Sequence, residues 1–310
     1  MSKTQNQRLA YGEELVALGK ENQNVVVLEA DLGKSTMSAL FQDAYPERYF
    51  EMGIAEANMM STAAGLAASG KIAFASTFAV FASGRAYDQL RQTISIGKLN
   101  VKVCGSSSGL SDFGDGSTHQ AIEDIAIMSA IPNMTVLTPC DAEETRKAVH
   151  AAAAHEGPVY IRTNRNDLKD YTDAGTPFEI GKVSVVKDGT DVAIFAHGTM
   201  IEVSMKAAEE LEKSGISAKV VNVSTMKPFD AEGVRKIAES VKAVVTAEEH
   251  TYIGGLAANT ALAMRGVNVP MDFVAVNDEF GQSAHSAVEL MVHYGLTPEN
   301  VAAKAKALLK

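Results

Sequence analysis

The 310-residue sequence has no tryptophan, eight prolines and only two cysteines. Cys104 and Cys140 lie far apart and form no CxxC pair, which argues against a disulfide framework or a zinc site and fits a reduced, cytoplasmic protein. The most apolar stretch, residues 72–84, is too short to span a bilayer, and residues 1–10 lack the apolar core of a signal peptide. We therefore expect a soluble protein.

Basic residues are the minority among the charged ones. The sequence has 28 Lys and Arg against 38 Asp and Glu, which gives a net charge of −10. Such an acidic surface argues against nucleic acids and anionic membranes as partners, and an anionic substrate would have to be held by a few local arginines. The hydrophobic fraction of 46% supports a large core, and the length suits two domains.

Short β-branched runs alternate with helical patterns along the chain. Near-continuous apolar strands separated by helices indicate parallel sheets covered on both faces. The fold class is therefore α/β, with two successive domains, each a mostly parallel sheet covered by helices. In the first half we predict strands at 24–30, 71–77, 100–106, 134–139 and 158–163, and helices at 4–20, 55–69, 79–96, 119–130 and 141–154. In the second half we predict strands at 191–198, 218–224, 243–250 and 271–276, and helices at 200–214, 230–240, 255–265 and 283–293.

Residues 164–190 interrupt this alternation, because they are rich in Asp, Gly, Asn and Lys. We interpret 166–189 as a linker with a short hairpin, between a first domain at 1–165 and a second at 190–310. The chain closes with a predicted helix that has Thr297 as its N-cap and Pro298 at its first position.

Glu56 lies in the apolar segment "RYFEMGIAEANMM", residues 48–60, at a predicted helix start. A glutamate there can interact favourably with the helix dipole. In apolar surroundings it can instead keep its proton near neutral pH and act as an acid. The local sequence leaves both readings open.

Two aromatic residues three positions apart, Phe78 and Phe81, should share one face. Such pairs are usually core, but they can also form a stacking wall for a flat heterocycle. The glycine-rich "FGDGSTHQ", residues 113–120, follows a predicted strand and carries Asp115 and His119. Open α/β sheets bind ligands at such a place; the alternative is a turn in which Asp or Thr caps a helix.

Arg8, Arg162 and Arg165 are scattered basic groups in an acidic chain. Most single arginines are solvated or paired at a surface, but Arg162 ends a predicted strand beside the expected cleft, which makes it a candidate for a phosphate clamp. His197 and His250 follow strands without metal-ligand spacing, so we expect structural roles for both. "EADLGKS", residues 29–35, lacks the first glycine of a P-loop, and we reject that reading.

Taken together, "RYFEMGIAEANMM", "STFAVF", "DGSTHQAIEDIAIMSAIPNMTVLTPCDAEE", "VYIRTNR", "EEHTYIGGLA" and "DEFGQSAHS" resemble the second half of a transketolase, in order and at about the family's spacing. The resemblance covers nearly the whole chain. It implies a pyrimidine-binding domain followed by the family's C-terminal domain. The magnesium–diphosphate motif of the family's first half is missing, because "GDG" here has no asparagine at the required distance and Asn133 comes too early.

The chain therefore resembles the C-terminal subunit of a split transketolase. The resemblance implies thiamine diphosphate shared with an N-terminal partner subunit, which would also hold Mg²⁺, so that no metal ligand is expected on this chain. A symmetric α2β2 assembly is the simplest closed arrangement. The implied reaction moves a two-carbon ketol unit from a ketose phosphate to an aldose phosphate.

The resemblance also implies roles at the cofactor. Glu56 would hydrogen-bond to N1′ of the pyrimidine and favour its imino tautomer. Phe81, helped by Phe78, would stack on the ring, and Ile54 would wedge the cofactor into its bent shape. Asp31 would belong to the hydrogen-bond network nearby.

At the substrate, Asp115 and His119 would contact sugar hydroxyls. The phosphate would be held by Arg8, Ser35 and Arg162. Two positions depart from the family pattern: Ser107 replaces a phosphate-binding histidine, and Gly84 replaces an aromatic of the pyrimidine pocket.

Three alternatives stay open at this point. The chain could belong to a 1-deoxyxylulose-5-phosphate synthase, or be the β subunit of a 2-oxo acid dehydrogenase. It could also be a non-catalytic partner subunit, although Glu56, Phe81, Asp115 and His119 together argue against that.

Overall fold

The computed structural model describes residues 3–310, and in it strands and helices alternate along most of the chain. The strands are β1 (Thr4–Asn6), β2 (Val25–Glu29), β3 (Tyr49–Glu51), β4 (Ile72–Phe78), β5 (Val101–Ser106), β6 (Thr135–Leu137), β7 (Val159–Arg162), β8 (Asp167–Lys169), β9 (Ser184–Lys187), β10 (Val192–Ala196), β11 (Ala218–Asn222), β12 (Thr225–Lys227), β13 (Ala243–Thr251) and β14 (Met271–Val276).

The α-helices lie between these strands along the chain. They are α1 (Gln7–Glu21), α2 (Gly33–Thr36), α3 (Ala39–Ala44), α4 (Glu56–Ala68), α5 (Asp124–Ala130), α6 (Ala142–Ala154), α7 (Met200–Glu212), α8 (Ala231–Ala238), α9 (Leu256–Ala263), α10 (Ala287–His293) and α11 (Pro298–Leu308). No helix within residues 3–310 combines the length and apolar character needed to cross a membrane.

Six strands of the first half and β12 from the second half form a sheet with the strand order β12-β6-β7-β5-β4-β2-β3. Its strands pair in parallel except at the β12–β6 edge. Strands β2, β5 and β7 are buried along their whole length. Burial on both faces explains the continuous apolar run of β2, and the parallel pairing confirms the predicted α/β class.

The second half builds a sheet with the order β14-β13-β10-β11-β9, parallel except for β9. Helix α11 closes the chain as predicted, because the Thr297 side chain accepts a hydrogen bond from the Asn300 amide at 3.3 Å and Pro298 opens the helix. The largest apolar cluster runs across both halves and joins Val136 to Met226.

The predicted hairpin in 166–189 is wrong. Strand β8 pairs antiparallel with β1 at the start of the chain, and β9 pairs antiparallel with β11. Strand β12 crosses over to the first sheet and pairs with β6. Each of these short strands pairs with a strand that is distant in sequence. Local turn residues cannot predict such a pairing.

Three predicted helices also differ from the structure. Residues 4–6 form β1, and helix α1 begins only at Gln7, because the Asn6 side chain caps it by accepting from the amides of Arg8 and Leu9. The segment 79–96 forms two π-type turns, Phe81–Arg85 and Gln89–Ser95. Helix α5 begins at Asp124 rather than at residue 119, because the preceding backbone at Ala121 is bridged to Gly109.

Parallel strands β2, β4, β5 and β7 all end at one edge of the first sheet. The loops that follow them, 30–38, 79–88, 107–120 and 163–166, therefore gather at that edge. They carry most of the residues singled out in the sequence.

Candidate active site

An aromatic wall stands at the end of β4. The rings of Phe78 and Phe81 lie 6.0 Å apart between centroids and are inclined by only 20°, so the predicted shared face is confirmed. The ring of His119 meets Phe81 edge-on, at 5.2 Å and 75°. Phe78 is buried and Phe81 is half-buried, which leaves part of the wall accessible to a ligand.

Glu56 is the first residue of helix α4, and it is buried beside this wall. Its Oε1 accepts a hydrogen bond from Arg85 Nη1 at 3.0 Å. The same guanidinium lies over the Phe81 ring, 4.2 Å from its centroid. The carboxyl therefore lies at a helix N-terminus, as the first interpretation expects, and it is buried, but Arg85 gives it the polar partner that the local sequence lacks. Its role as an acid stays a prediction.

The surroundings of Glu56 can hold a flat heteroaromatic ring. Arg85 uses one carboxylate oxygen and leaves the second for a ligand, while Phe81 offers a stacking face. A Cβ built on Gly84 would meet no atom within 4 Å, so the missing side chain leaves open space. Ile54, which is 74% exposed, stands two residues before Glu56. A ring nitrogen facing Glu56 and a ring face on Phe81 fit this arrangement.

The glycine-rich loop presents Asp115 and His119 at its surface. Asp115 is exposed and precedes the short 3₁₀ turn Gly116–Thr118, but its side chain forms no capping hydrogen bond. The capping alternative is therefore wrong for Asp115. Below the surface, Gln120 Nε2 donates to the carbonyls of Asp112 and Gln282 at 3.1 and 3.0 Å. The loop is thus anchored from beneath while its polar tips stay accessible.

Arg8 is anchored to the loop after β2. Arg8 Nη1 donates to the carbonyl oxygen of Ser35 at 2.8 Å, so Ser35 contacts Arg8 through its backbone. Burial, followed by the nearby Arg165, lowers the pKa of Arg8. The Arg8 Nε is buried and finds no acceptor among residues 3–310. A buried guanidinium N–H without an acceptor, in the electrostatic field of a second arginine, suits an anion.

Arg165 is the functional candidate that the sequence reasoning did not place at the substrate. Its Nη1 donates to Asp112 Oδ1 at 2.6 Å, and its side chain is 41% exposed. The available signal was its position three residues beyond the end of β7. The sequence could not show that this loop brings the side chain to Asp112.

The prediction that Arg162 holds a substrate phosphate is wrong. Its Nε donates to both oxygens of Asp124 at 3.0 and 3.2 Å, and its Nη2 donates to the carbonyls of Ala121 and Glu249. Burial alone would lower the pKa of Arg162, but Asp124 and Glu249 raise it. The guanidinium is buried, with hydrogen bonds from both Nε and Nη2, and it ties the first half of the chain to β13.

The loop after β2 carries Asp31 and Ser35 and is held by a buried acid. Glu29 accepts from Thr36 Oγ1 at 2.7 Å and from Ser38 Oγ at 2.6 Å. Burial raises the pKa of Glu29 to about 7, although these hydroxyls oppose the shift. Asp31 is exposed and has φ 61°, and its amide donates to Glu51. Its expected place in a cofactor network stays a prediction.

The two strand-end histidines are both buried but differ in their contacts. His250 Nδ1 lies 2.6 Å from the Thr251 carbonyl oxygen and Nε2 accepts weakly from the Ala126 amide, which fits the expected structural role. Both ring nitrogens of His197 lack a partner in the described part of the chain. Burial, then Arg162 and His250, hold the pKa of His197 well below its usual value. Across residues 3–310, no group of three or more His, Cys, Asp or Glu side chains is placed to hold a metal ion.

Comparisons with known proteins cover the chain from end to end. The family model of the transketolase pyrimidine-binding domain matches residues 3–170, and that of the transketolase C-terminal domain matches residues 181–301. A chain named as a transketolase C-terminal section, from Methanocaldococcus jannaschii, is 43% identical over 98% of this chain and 96% of its own length. A 6-deoxy-6-sulfo-D-fructose transketolase subunit from a Clostridium species is 40% identical over 95% of this chain and 91% of its own length.

Two further matches bear on assembly and on the reaction. A solved structure of a split-gene transketolase, described as an inactive β4 tetramer, has a TM-score of 0.90 and 45% identity, with 99% of both chains covered. A 1-deoxy-D-xylulose-5-phosphate synthase from Symbiobacterium thermophilum is 36% identical over 96% of this chain, which spans 46% of that enzyme.

Proposed function

The chain belongs to the transketolase family, as a C-terminal section of it, and we propose that it is the C-terminal subunit of a thiamine diphosphate-dependent transketolase. It would transfer a two-carbon ketol unit from a ketose phosphate to an aldose phosphate, together with an N-terminal partner subunit. The observation that carries this proposal is the meeting of Glu56, Phe81 and His119 at one wall. Glu56 opens helix α4, whereas Phe81 and His119 come from the segments that follow β4 and β5.

The wall fits the aminopyrimidine ring of thiamine diphosphate. Phe81, backed by Phe78, would stack on the ring, and Ile54 would contact the cofactor from its exposed position. Glu56 would hold the proton at the ring nitrogen N1′ with the oxygen that Arg85 does not use. Thiamine diphosphate, when bound, supplies the nucleophilic carbon that takes up and releases the two-carbon unit.

The same cleft offers groups for a sugar with an anionic end. Asp115 and His119 would bind the hydroxyls of the donor, and Arg8 and Arg165 would bind its phosphate. Ser35 would act through its carbonyl, which orients Arg8. A relative is named for a sulfonated sugar, so a sulfonate end group is a second substrate class to test.

The partner subunit would contribute the diphosphate site and Mg²⁺. Two findings support this: a relative is named as a C-terminal section, and a solved neighbour is described as an inactive β4 tetramer. Exposed apolar side chains also support association, because large apolar residues on a surface often mark interfaces; they include Ile54, Ile96, Ile253 and Phe280. An α2β2 assembly would close this arrangement symmetrically.

A second candidate function is that of a 1-deoxyxylulose-5-phosphate synthase subunit. The 36% identity over 46% of the length of such an enzyme favours it. This reaction would take pyruvate in place of the ketose donor. The aromatic wall and Glu56 would serve either reaction. The two functions are therefore distinguished by the donor that the enzyme accepts, pyruvate or a ketose phosphate.

The test is an assay with thiamine diphosphate and Mg²⁺, on this chain alone and with an N-terminal transketolase chain. One arm offers xylulose 5-phosphate with ribose 5-phosphate, and the other offers pyruvate with glyceraldehyde 3-phosphate. Ketol transfer that requires both chains is the expected result. Activity only with pyruvate supports the synthase, and a complex inactive in both arms points to a non-catalytic subunit. Activity of this chain alone would refute the split organisation.

A further inference from the structure

The glycine-rich loop belongs to the first half of the chain, but the residues around it are built into the second half. Leu110 and Ile122 flank the loop and belong to an apolar cluster formed mainly by the second half, and Phe113 packs against that cluster. The Leu110 amide donates to Glu249 Oε1 at 2.9 Å. The Thr251 amide donates to the carbonyl oxygen of Ile122 at 2.7 Å. The loop is therefore attached to β13 on both sides.

One segment of the C-terminal domain, residues 281–284, lies directly against the loop. The Ala284 amide donates to the carbonyl oxygen of Phe113 at 2.8 Å. Gly116 has φ 77°, and a Cβ at this position would overlap the hydroxyl of Ser283. The loop and the segment thus approach each other more closely than a side chain at residue 116 would allow.

Gln120 fixes the contact between the loop and this segment. Its side chain is buried, and Nε2 donates to the carbonyl oxygens of Gln282 at 3.0 Å and of Asp112 at 3.1 Å. Its Oε1 finds no donor among residues 3–310 and faces Gly281, where a Cβ would overlap it. The amide is therefore held by two hydrogen bonds from Nε2 and by close contact with a glycine.

We propose that Gln120 is a positioning residue of the substrate site, through which segment 281–284 of the C-terminal domain sets the position of Asp115 and His119. The inference rests on the proposed function, because that function assigns both residues to the hydroxyls of the donor sugar. The hydrogen bond to Asp112 closes the loop around these two residues. The second hydrogen bond of Gln120 ties the closed loop to the segment.

The first experiment compares Gln120→Met with the unmodified two-chain enzyme. Methionine keeps the volume of the side chain but donates no hydrogen bond. We expect the KM of the ketose phosphate to rise about tenfold, with a smaller change in kcat and an unchanged affinity for thiamine diphosphate. An unchanged donor KM in the folded, assembled variant would overturn the inference.

Thr138→Val is the matched control for a loss of stability. It removes another buried hydrogen bond between the two halves, which Thr138 Oγ1 donates to the carbonyl oxygen of Val223 at 3.2 Å. It should lower the unfolding midpoint and keep the donor KM. If it raised the donor KM as much as Gln120→Met, the effect would reflect general destabilisation, and the positioning role would be overturned.

A double-mutant cycle tests the same contact without the Met variant. In Gly281→Ala the added methyl must displace the Gln120 amide, so the donor KM should again rise about tenfold. In Gln120→Ala the amide is absent and the methyl has room. The double variant should therefore have the donor KM of Gln120→Ala alone, whereas effects that multiply would show independent sites and overturn the inference. Gly65→Ala, where an added Cβ meets no atom within 4 Å, should keep the donor KM.

A third measurement needs no catalysis. The ring of His119 meets Phe81 edge-on at 5.2 Å, so its NMR signals in the full chain, labelled with ¹⁵N at histidine, report the position of the loop. Gln120→Met and Gly281→Ala should shift these signals, and Thr138→Val should not. Unshifted signals, in a chain whose unmodified complex transfers the ketol unit, overturn the inference alone. An unmodified complex without ketol transfer refutes the proposed function and, with it, the assigned role.

Discussion

The Glu56→Gln substitution separates the chemical role of this carboxyl from its structural one. The change keeps the size of the side chain and removes its charge. In the folded chain Glu56 forms an ion pair with Arg85, whose side chain is 54% exposed. Because solvent screens such a pair, it adds only about 0.5 kcal/mol to the free energy of unfolding. The charge at the N-terminus of α4 adds about 0.5 kcal/mol more. The total of about 1 kcal/mol should shift the unfolding midpoint by about 2–4 °C.

The effect on turnover should be far larger. If Glu56 holds the proton at N1′, its loss removes an acid–base contribution of about a hundredfold to ten-thousandfold in kcat. Glu56→Ala should abolish activity, and neither variant should prevent assembly with the partner chain. The assay measures ketol transfer by the reconstituted complex at saturating thiamine diphosphate, and native mass spectrometry reports the assembly.

Glu47→Gln is the control for this prediction. It makes the same chemical change in an exposed ion pair, between Glu47 and Arg48, and should leave turnover and assembly unchanged. Normal turnover in Glu56→Gln would remove Glu56 from the proton transfer. A lost complex would show instead that the side chain serves assembly, and the catalytic argument would fail.

Three further predictions address the arginines and a buried histidine. Arg162→Met should destabilise the chain by about 3–5 kcal/mol in urea unfolding, because Asp124 is left buried without its partner; a higher donor KM at unchanged stability would contradict the structural role. Arg165→Ala should raise the KM of a phosphorylated donor roughly tenfold to a hundredfold; an equal rise with an unphosphorylated ketose would exclude a phosphate contact. The pKa of His197 lies well below 6.5 in the folded chain, so the unfolded chain binds the extra proton and stability falls as pH drops below that value. His197→Leu should reduce this slope by up to about 1.4 kcal/mol per pH unit, and an unchanged slope from urea unfolding at several pH values would show that His197 does not cause it.

The regular elements could be predicted where their signals are local. A strand buried on both faces needs a continuous apolar run, which is why β2 and β10 are readable from the sequence. Helix α6 has a readable start because the Asp141 side chain accepts from the Glu144 amide. The hairpin failed for the opposite reason, since β8 and β9 take their hydrogen-bond partners from β1 and β11.

In the candidate site, too, contacts between residues close in sequence could be predicted, and contacts between distant residues could not. Phe78 and Phe81 could be paired from their spacing, because a turn places such residues on one side. Arg162 was misplaced because the end of a strand does not reveal which face its side chain takes, and one residue reverses the face. Arg165 reaches the cleft only through the course of the loop after β7.

The amino-acid sequence by itself determined the parallel α/β class, the family and most residues of the aromatic wall, since these depend on periodicity and on motifs read along the chain. Only the tertiary structure decided which charges meet. Arg85 joins Glu56, Arg165 joins Asp112, and Asp124 engages Arg162. Each pair spans at least 29 residues of sequence. Electrostatic contacts depend on distance and burial in space, and neither quantity is written in the spacing of residues along the chain.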